Sequence, residues 1–116
     1  MCLSGRARTL TPVMVITRFR VVDQDGFAER VDAALAVLRN RTGFLAADLE
    51  RNLDEPDLWA LVTRWENVGS YRRALGSYEG KMHIQPLMVH AVDEPSAYEL
   101  VEEGTDLNES QPRSLG

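Results

Sequence analysis

The stretch Leu58 to Trp65 is apolar on both sides of a strand, and no other feature constrains the chain more. Leu58, Ala60 and Val62 fall on one side, and Trp59, Leu61 and Trp65 on the other. Successive strand side chains point to opposite faces, so both faces of this strand need cover. Leu87 to Asp93 repeats the pattern, with Leu87, Val89 and Ala91 against Met88 and Val92. It is expected to be the fourth strand of the same sheet.

The remaining elements follow from periodicity. Val13 to Val22 alternates, with Val13, Val15, Thr17, Phe19 and Val21 on one side and Met14, Ile16, Arg18 and Arg20 on the other. That predicts a first strand. Asp25-Gly26 ends it, and Asp25 is placed to cap a helix. Phe27, Val31, Ala34, Leu35 and Leu38 recur at helical spacing to about Asn40. Thr42-Gly43 stops that helix. Phe44 to Leu53 alternates weakly and predicts a second strand, closed by the turn residues Asp54-Glu55-Pro56-Asp57. Ser70 to Gly76 predicts a short helix with Tyr71, Ala74 and Leu75 on its apolar side, and Ser77 to Pro86 a loop with a helical turn. Tyr98 to Val101 is expected as a short edge strand after Pro95.

The order is β-α-β-β-α-β, an α+β, ferredoxin-like arrangement with one antiparallel sheet. Two helices cover one face only. A second copy of the same sheet is the expected cover for the other, in a two-fold homodimer. A cavity would then lie beside the sheet, under the second helix and the loop after it.

The 116 residues suit one domain, taken as residues 12 to 102. Residues 1 to 11 and the acidic stretch 103 to 116 read as mobile tails. Eighteen acidic against 13 basic residues give a net charge of -5, which argues against nucleic acid and anionic membranes as partners. No apolar run is long enough to span a bilayer. One cysteine, Cys2, allows no internal disulfide and no cysteine-based metal site. Met1 to Arg6 lacks the pattern of a secretory leader, so the cytoplasm is the expected compartment.

Sharp catalytic motifs are missing. Gly80-Lys81 has the end of a phosphate-binding loop, but Gly76 is one position too close and Met82 stands where Ser or Thr is needed. His83 and His90 lack metal-ligand spacing, no metal site is expected, and His90 reads as structural within the fourth strand. What remains is a late cluster of aromatic and polar residues: Trp65, Asn67, Tyr71, Arg72, Tyr78 and His83. Aromatic bodies with polar tips suit a pocket for a flat organic molecule. Taken singly, Trp65 and Tyr71 read first as core packing.

At this cluster the chain resembles the antibiotic biosynthesis monooxygenase family. The features are Trp65-Glu66-Asn67 at the end of a strand, Tyr71 six residues after the Trp, and His83 about a dozen residues later. Gly43-Phe44 opening the second strand and Glu94-Pro95-Ser96-Ala97-Tyr98-Glu99 are also similar to the family pattern.

The resemblance implies a dimeric α+β barrel. It also implies cofactor-independent oxidation, by molecular oxygen, of a small aromatic or quinol-like compound. Trp65 would be a stacking wall and Tyr71 or His83 the proton acceptor, with Asn67, Arg72 and Tyr78 around the substrate. In an anthrone-oxidising member an Asn stands four residues before the Trp; here that position is Leu61. A later Arg of that member has Gln85 or Lys81 nearest to it. Relatives that degrade heme bind iron through a His similar to His83, with an Asn where Thr17 stands and a Trp where Ala74 stands. Heme binding is therefore an alternative, as is a non-catalytic dimer that binds a small molecule.

Overall fold

The computed structural model of the chain describes residues 11–22 and 26–101. Asp25, Cys2 and nearly all of both expected tails lie outside the described residues. The elements run β1 (Val13–Arg20), α1 (Phe27–Leu38), β2 (Phe44–Arg51), β3 (Leu58–Trp65), α2 (Val68–Gly76), α3 (Tyr78–His83), a 3-10 helix (Gln85–His90) and β4 (Ala97–Glu99). The four strands form one antiparallel sheet in the order β2-β3-β1-β4. This is the α+β, ferredoxin-like arrangement that the alternating strands and two amphipathic segments predict.

The register sorts the two faces. Val13 pairs with Trp65, Val15 with Thr63, Thr17 with Leu61 and Phe19 with Trp59. This row of β1 and β3 faces the helices and carries the core: Val13, Val15, Phe19 and Trp65 are buried, together with Phe27, Val31, Ala34, Leu35 and Leu38 of α1. Phe27 ties α1 to the sheet through edge-on contacts with Phe19 and Trp59, with ring centroids 5.4 and 5.3 Å away.

The opposite face holds Met14, Ile16 and Arg18 of β1 beside Val62 and Ala60 of β3. These residues are half-buried. Arg18 makes a bidentate pair with Glu94, both contacts 2.7 Å, and its guanidinium holds the Glu94 carboxyl below the ordinary carboxylate range.

The expected fourth strand is a correction. Leu87 to His90 belongs to the 3-10 helix, not to the sheet. Pro86 stands at its first turn, and Leu87 N–H donates to Ile84 C=O while Ala91 N–H donates to Met88 C=O. Only Leu87 of the apolar run is buried; Val89 is 78% exposed. An apolar run of that length fits a strand or a buried turn equally, and its alternation alone does not choose. His90 therefore sits on a helical turn, edge-on to Phe27. Ala91 keeps a single bridge to Phe19, and the outer position beside β1 goes to Ala97–Glu99.

Smaller differences have local causes. The second helix starts at Val68, two residues early, because the Asn67 side chain accepts from Ser70 N–H at 2.9 Å and caps it. The loop expected after it contains a further short helix, α3, capped by Ser77, whose hydroxyl accepts from Gly80 N–H. No described helix is long and apolar enough to cross a membrane.

Candidate functional site

Between the helix-facing side of the sheet and the helices lies a cavity of about 260 Å³. Its floor is the strand row Val15, Thr17, Phe19, Leu61, Thr63 and Trp65. Ala34 and Leu38 of α1 form one wall, Tyr71 and Leu75 of α2 another, and Ile84, Gln85, Leu87 and Met88 close the end. The position follows from the fold. The 3-10 helix leaves the sheet where a fourth strand was expected, and its Leu87 and Met88 roof the space beside β1.

Trp65 and Tyr71 meet at this cavity. Their ring centroids are 5.9 Å apart at a tilt of 54°. Phe44 backs Trp65 edge-on at 5.4 Å. Trp65 is 1% exposed and cannot swing out. Its indole Nε1–H donates to Thr63 Oγ1 at 2.9 Å. The two residues are two apart on a strand, so both point to the same face.

Burial pushes the Tyr71 phenol above its ordinary value, while the Ser96 hydroxyl and the Arg72 guanidinium pull weakly the other way. Near neutral pH Tyr71 is therefore a protonated phenol, a hydrogen-bond donor rather than a base. No charged side chain lines the cavity; its polar groups are Thr17, Thr63, Tyr71 and Gln85.

The other residues singled out from sequence stand elsewhere. Asn67 spends its side-chain oxygen on the α2 cap. Arg72 is exposed on α2 and Tyr78 is 74% exposed on α3. His83 is exposed at the end of α3 and does not line the cavity. Arg72, Tyr78 and His83 are close to Trp65 and Tyr71 in sequence, but they are exposed on α2 and α3. Thr63, which sequence inspection passed over, does line the cavity. Its signal was there to read: it precedes Trp65 by two on the strand and so shares its face.

No three His, Cys, Asp or Glu among the described residues come together as a metal site. A heme would need His83 at its iron and partners for its propionates. His83 lies outside the cavity and no cation lines it, so the residues present do not fit a heme there.

The comparisons with known proteins agree with this fold. The family model for antibiotic biosynthesis monooxygenase matches residues 12–85. No match is found among curated protein sequences. Among solved structures, the chain is similar to SnoaB from Streptomyces nogalater, described as a cofactor-independent oxygenase. The identity is 21% and the TM-score 0.71, over 85% of this chain and 99% of that one. Rv0793 from Mycobacterium tuberculosis is similar at 20% identity and a TM-score of 0.63, over 86% and 99% of the two chains. PA3566 from Pseudomonas aeruginosa is similar at 14% identity and a TM-score of 0.62, over 81% and 96%.

Proposed function

Because the chain belongs to the antibiotic biosynthesis monooxygenase family, we propose that it oxidises a small aromatic or quinol-like compound with molecular oxygen and without a cofactor. The observation that carries this reading is the largely apolar cavity walled by Trp65 and Tyr71. An electron-rich ring system can itself reduce oxygen. The protein then has to hold the ring, keep water away and leave room for the oxygen molecule. In the balanced reaction, a ring-activated CH2 carbon loses both hydrogens and gains one oxygen atom as C=O. The second oxygen leaves as water, and the substrate supplies all the electrons taken up. The description of SnoaB as a cofactor-independent oxygenase supports this chemistry for the fold.

Within this reading Trp65 stacks on the substrate and Tyr71, held as a phenol, donates to it. A proton acceptor role for Tyr71 finds no support in its raised value, nor one for His83 in its position outside the cavity. With no base lining the cavity, the proton is best lost to water, which restricts the substrate to compounds that ionise readily on their own.

The test is oxygen uptake with a panel of anthrones, which carry the ring-activated CH2 carbon. The native chain should consume oxygen above the buffer rate, and Trp65→Phe and Tyr71→Phe should slow it at least tenfold. Uptake that is equal in native and variant proteins would overturn the catalytic reading. The cavity's lack of any base favours a second reading, a non-catalytic module that binds the same class of molecule. Ring binding without oxygen uptake would establish it.

The working unit is proposed to be a homodimer in which the half-buried face of Met14, Ile16, Ala60 and Val62 meets its copy. Half-exposed apolar side chains in one sheet face support it, as does the family's common dimeric state.

A further inference from the structure

Thr63 is 4% exposed and lines the cavity. Its oxygen accepts from Trp65 Nε1 at 2.9 Å. Among the described residues its own proton has no acceptor. A hydroxyl carries one donor besides its lone pairs, and a buried donor without a partner is costly. The Trp65 indole occupies one lone-pair side of Oγ1. Thr63 lines the cavity, and its O–H can turn about the Cβ–Oγ1 bond to meet an acceptor placed there.

We propose that Thr63 is the residue by which this cavity recognises its ligand: the hydroxyl donates to a carbonyl oxygen on an otherwise apolar fused-ring ligand. The inference rests on the reading of the cavity as a ring-binding site and adds which polar feature the ring must carry. Two further observations narrow the class. No charged side chain lines the cavity, so a carboxylate or phosphate would be desolvated without a partner, and the ligand is neutral. An apolar cavity of about 150 Å³ takes up benzene, so one of 260 Å³ suits two or three fused rings. The ligand class is thus a neutral two- or three-ring ketone or quinone, or a quinol whose oxygen accepts from Thr63.

Titration of the full chain with 9-fluorenone and with fluorene, followed by tryptophan fluorescence, tests the idea. The two probes share a shape and differ by one carbonyl. In Thr63→Val the ratio of fluorenone to fluorene affinity should fall about five- to tenfold, the effect of one hydrogen bond, and Thr63→Ser should restore it. An unchanged ratio in Thr63→Val, with both rings still bound, overturns the role of Thr63 and leaves the cavity reading standing. If neither probe binds the native chain, the cavity reading fails and the proposal falls with it. The infrared carbonyl stretch of bound fluorenone, compared between native protein and Thr63→Val, separates Thr63 from the Tyr71 phenol. A band lowered in native protein and moved back toward its alkane position in Thr63→Val supports the Thr63 hydrogen bond, and a band at the same position in both proteins overturns it.

Discussion

Gly43 and Ser70 approach so closely that no β-carbon fits between them. A side chain at Gly43 would overlap the Ser70 Cβ and Oγ, and Gly43 also has a positive φ of 89°. The contact joins the turn before β2 to the first turn of α2, the helix that carries Tyr71. Gly43 C=O meanwhile accepts from Glu66 N–H at 2.8 Å, just after Trp65. Gly43→Ala therefore combines backbone strain with a clash against a buried residue. It should cost about 2–4 kcal/mol, read from urea unfolding midpoints. A change within a few tenths would mean that α2 shifts freely.

Asn67 holds α2 by its side-chain oxygen. Asn67→Ala should lower stability by about 1 kcal/mol, and Asn67→Ser should recover most of it. Affinity for an aromatic ring should be nearly unchanged in the Ser variant, since Asn67 does not line the cavity. A large loss of ring affinity in a folded Asn67→Ser protein would return Asn67 to the binding site.

Tyr71 should ionise late. Its folded value lies above the ordinary value of 10.0 because burial disfavours the phenolate. The sign follows: the neutral form is favoured in the folded chain, so its contribution is complete below the unfolded value and is lost as pH rises through the folded one. In an alkaline absorbance titration, the difference between native protein and Tyr71→Phe should have its midpoint above pH 10. A midpoint below that value would make Tyr71 an available base after all.

The open face of the sheet should be sensitive to charge. Val62 of β3 pairs with Ile16 of β1 there, both half-buried. Val62→Asp should convert a dimer to monomer, measured by light scattering, because an unpaired charge in an apolar interface is not tolerated. A native chain that is already monomeric, with full secondary structure, would remove the reason for a second copy. Leu61→Asp is no test of this, because Leu61 points to the cavity.

Much of the fold was legible because local pattern and tertiary environment agreed. The Val13, Val15 and Phe19 alternation and the Phe27, Val31, Leu35, Leu38 spacing each match a buried face in the folded chain. Trp65 and Tyr71 were legible as a pair only through the family resemblance; in the folded chain a strand end followed by a short capped helix brings them to one cavity. Arg72, Tyr78 and His83 are exposed and do not line the cavity. Closeness in sequence placed them near the site, but rotation about α2 and α3 turned them outward, and a few residues of short helix give too weak a periodicity to fix that rotation.

The amino-acid sequence by itself determined the order from β1 through α1, β2 and β3 to α2, and the face each residue of β1 and β3 presents. Alternation is a local property, and a one-residue slip would expose a whole apolar row. Only the tertiary structure decided what Leu87 to Val92 becomes. The edge of β1 can pair along its length with one partner at a time; Ala97–Glu99 takes one end and Ala91 the other. Gln85–His90 is left to coil over the cavity and seat Leu87 in the core. The same choice, which depends on competition between distant segments, creates the space in which Thr63, Trp65 and Tyr71 meet.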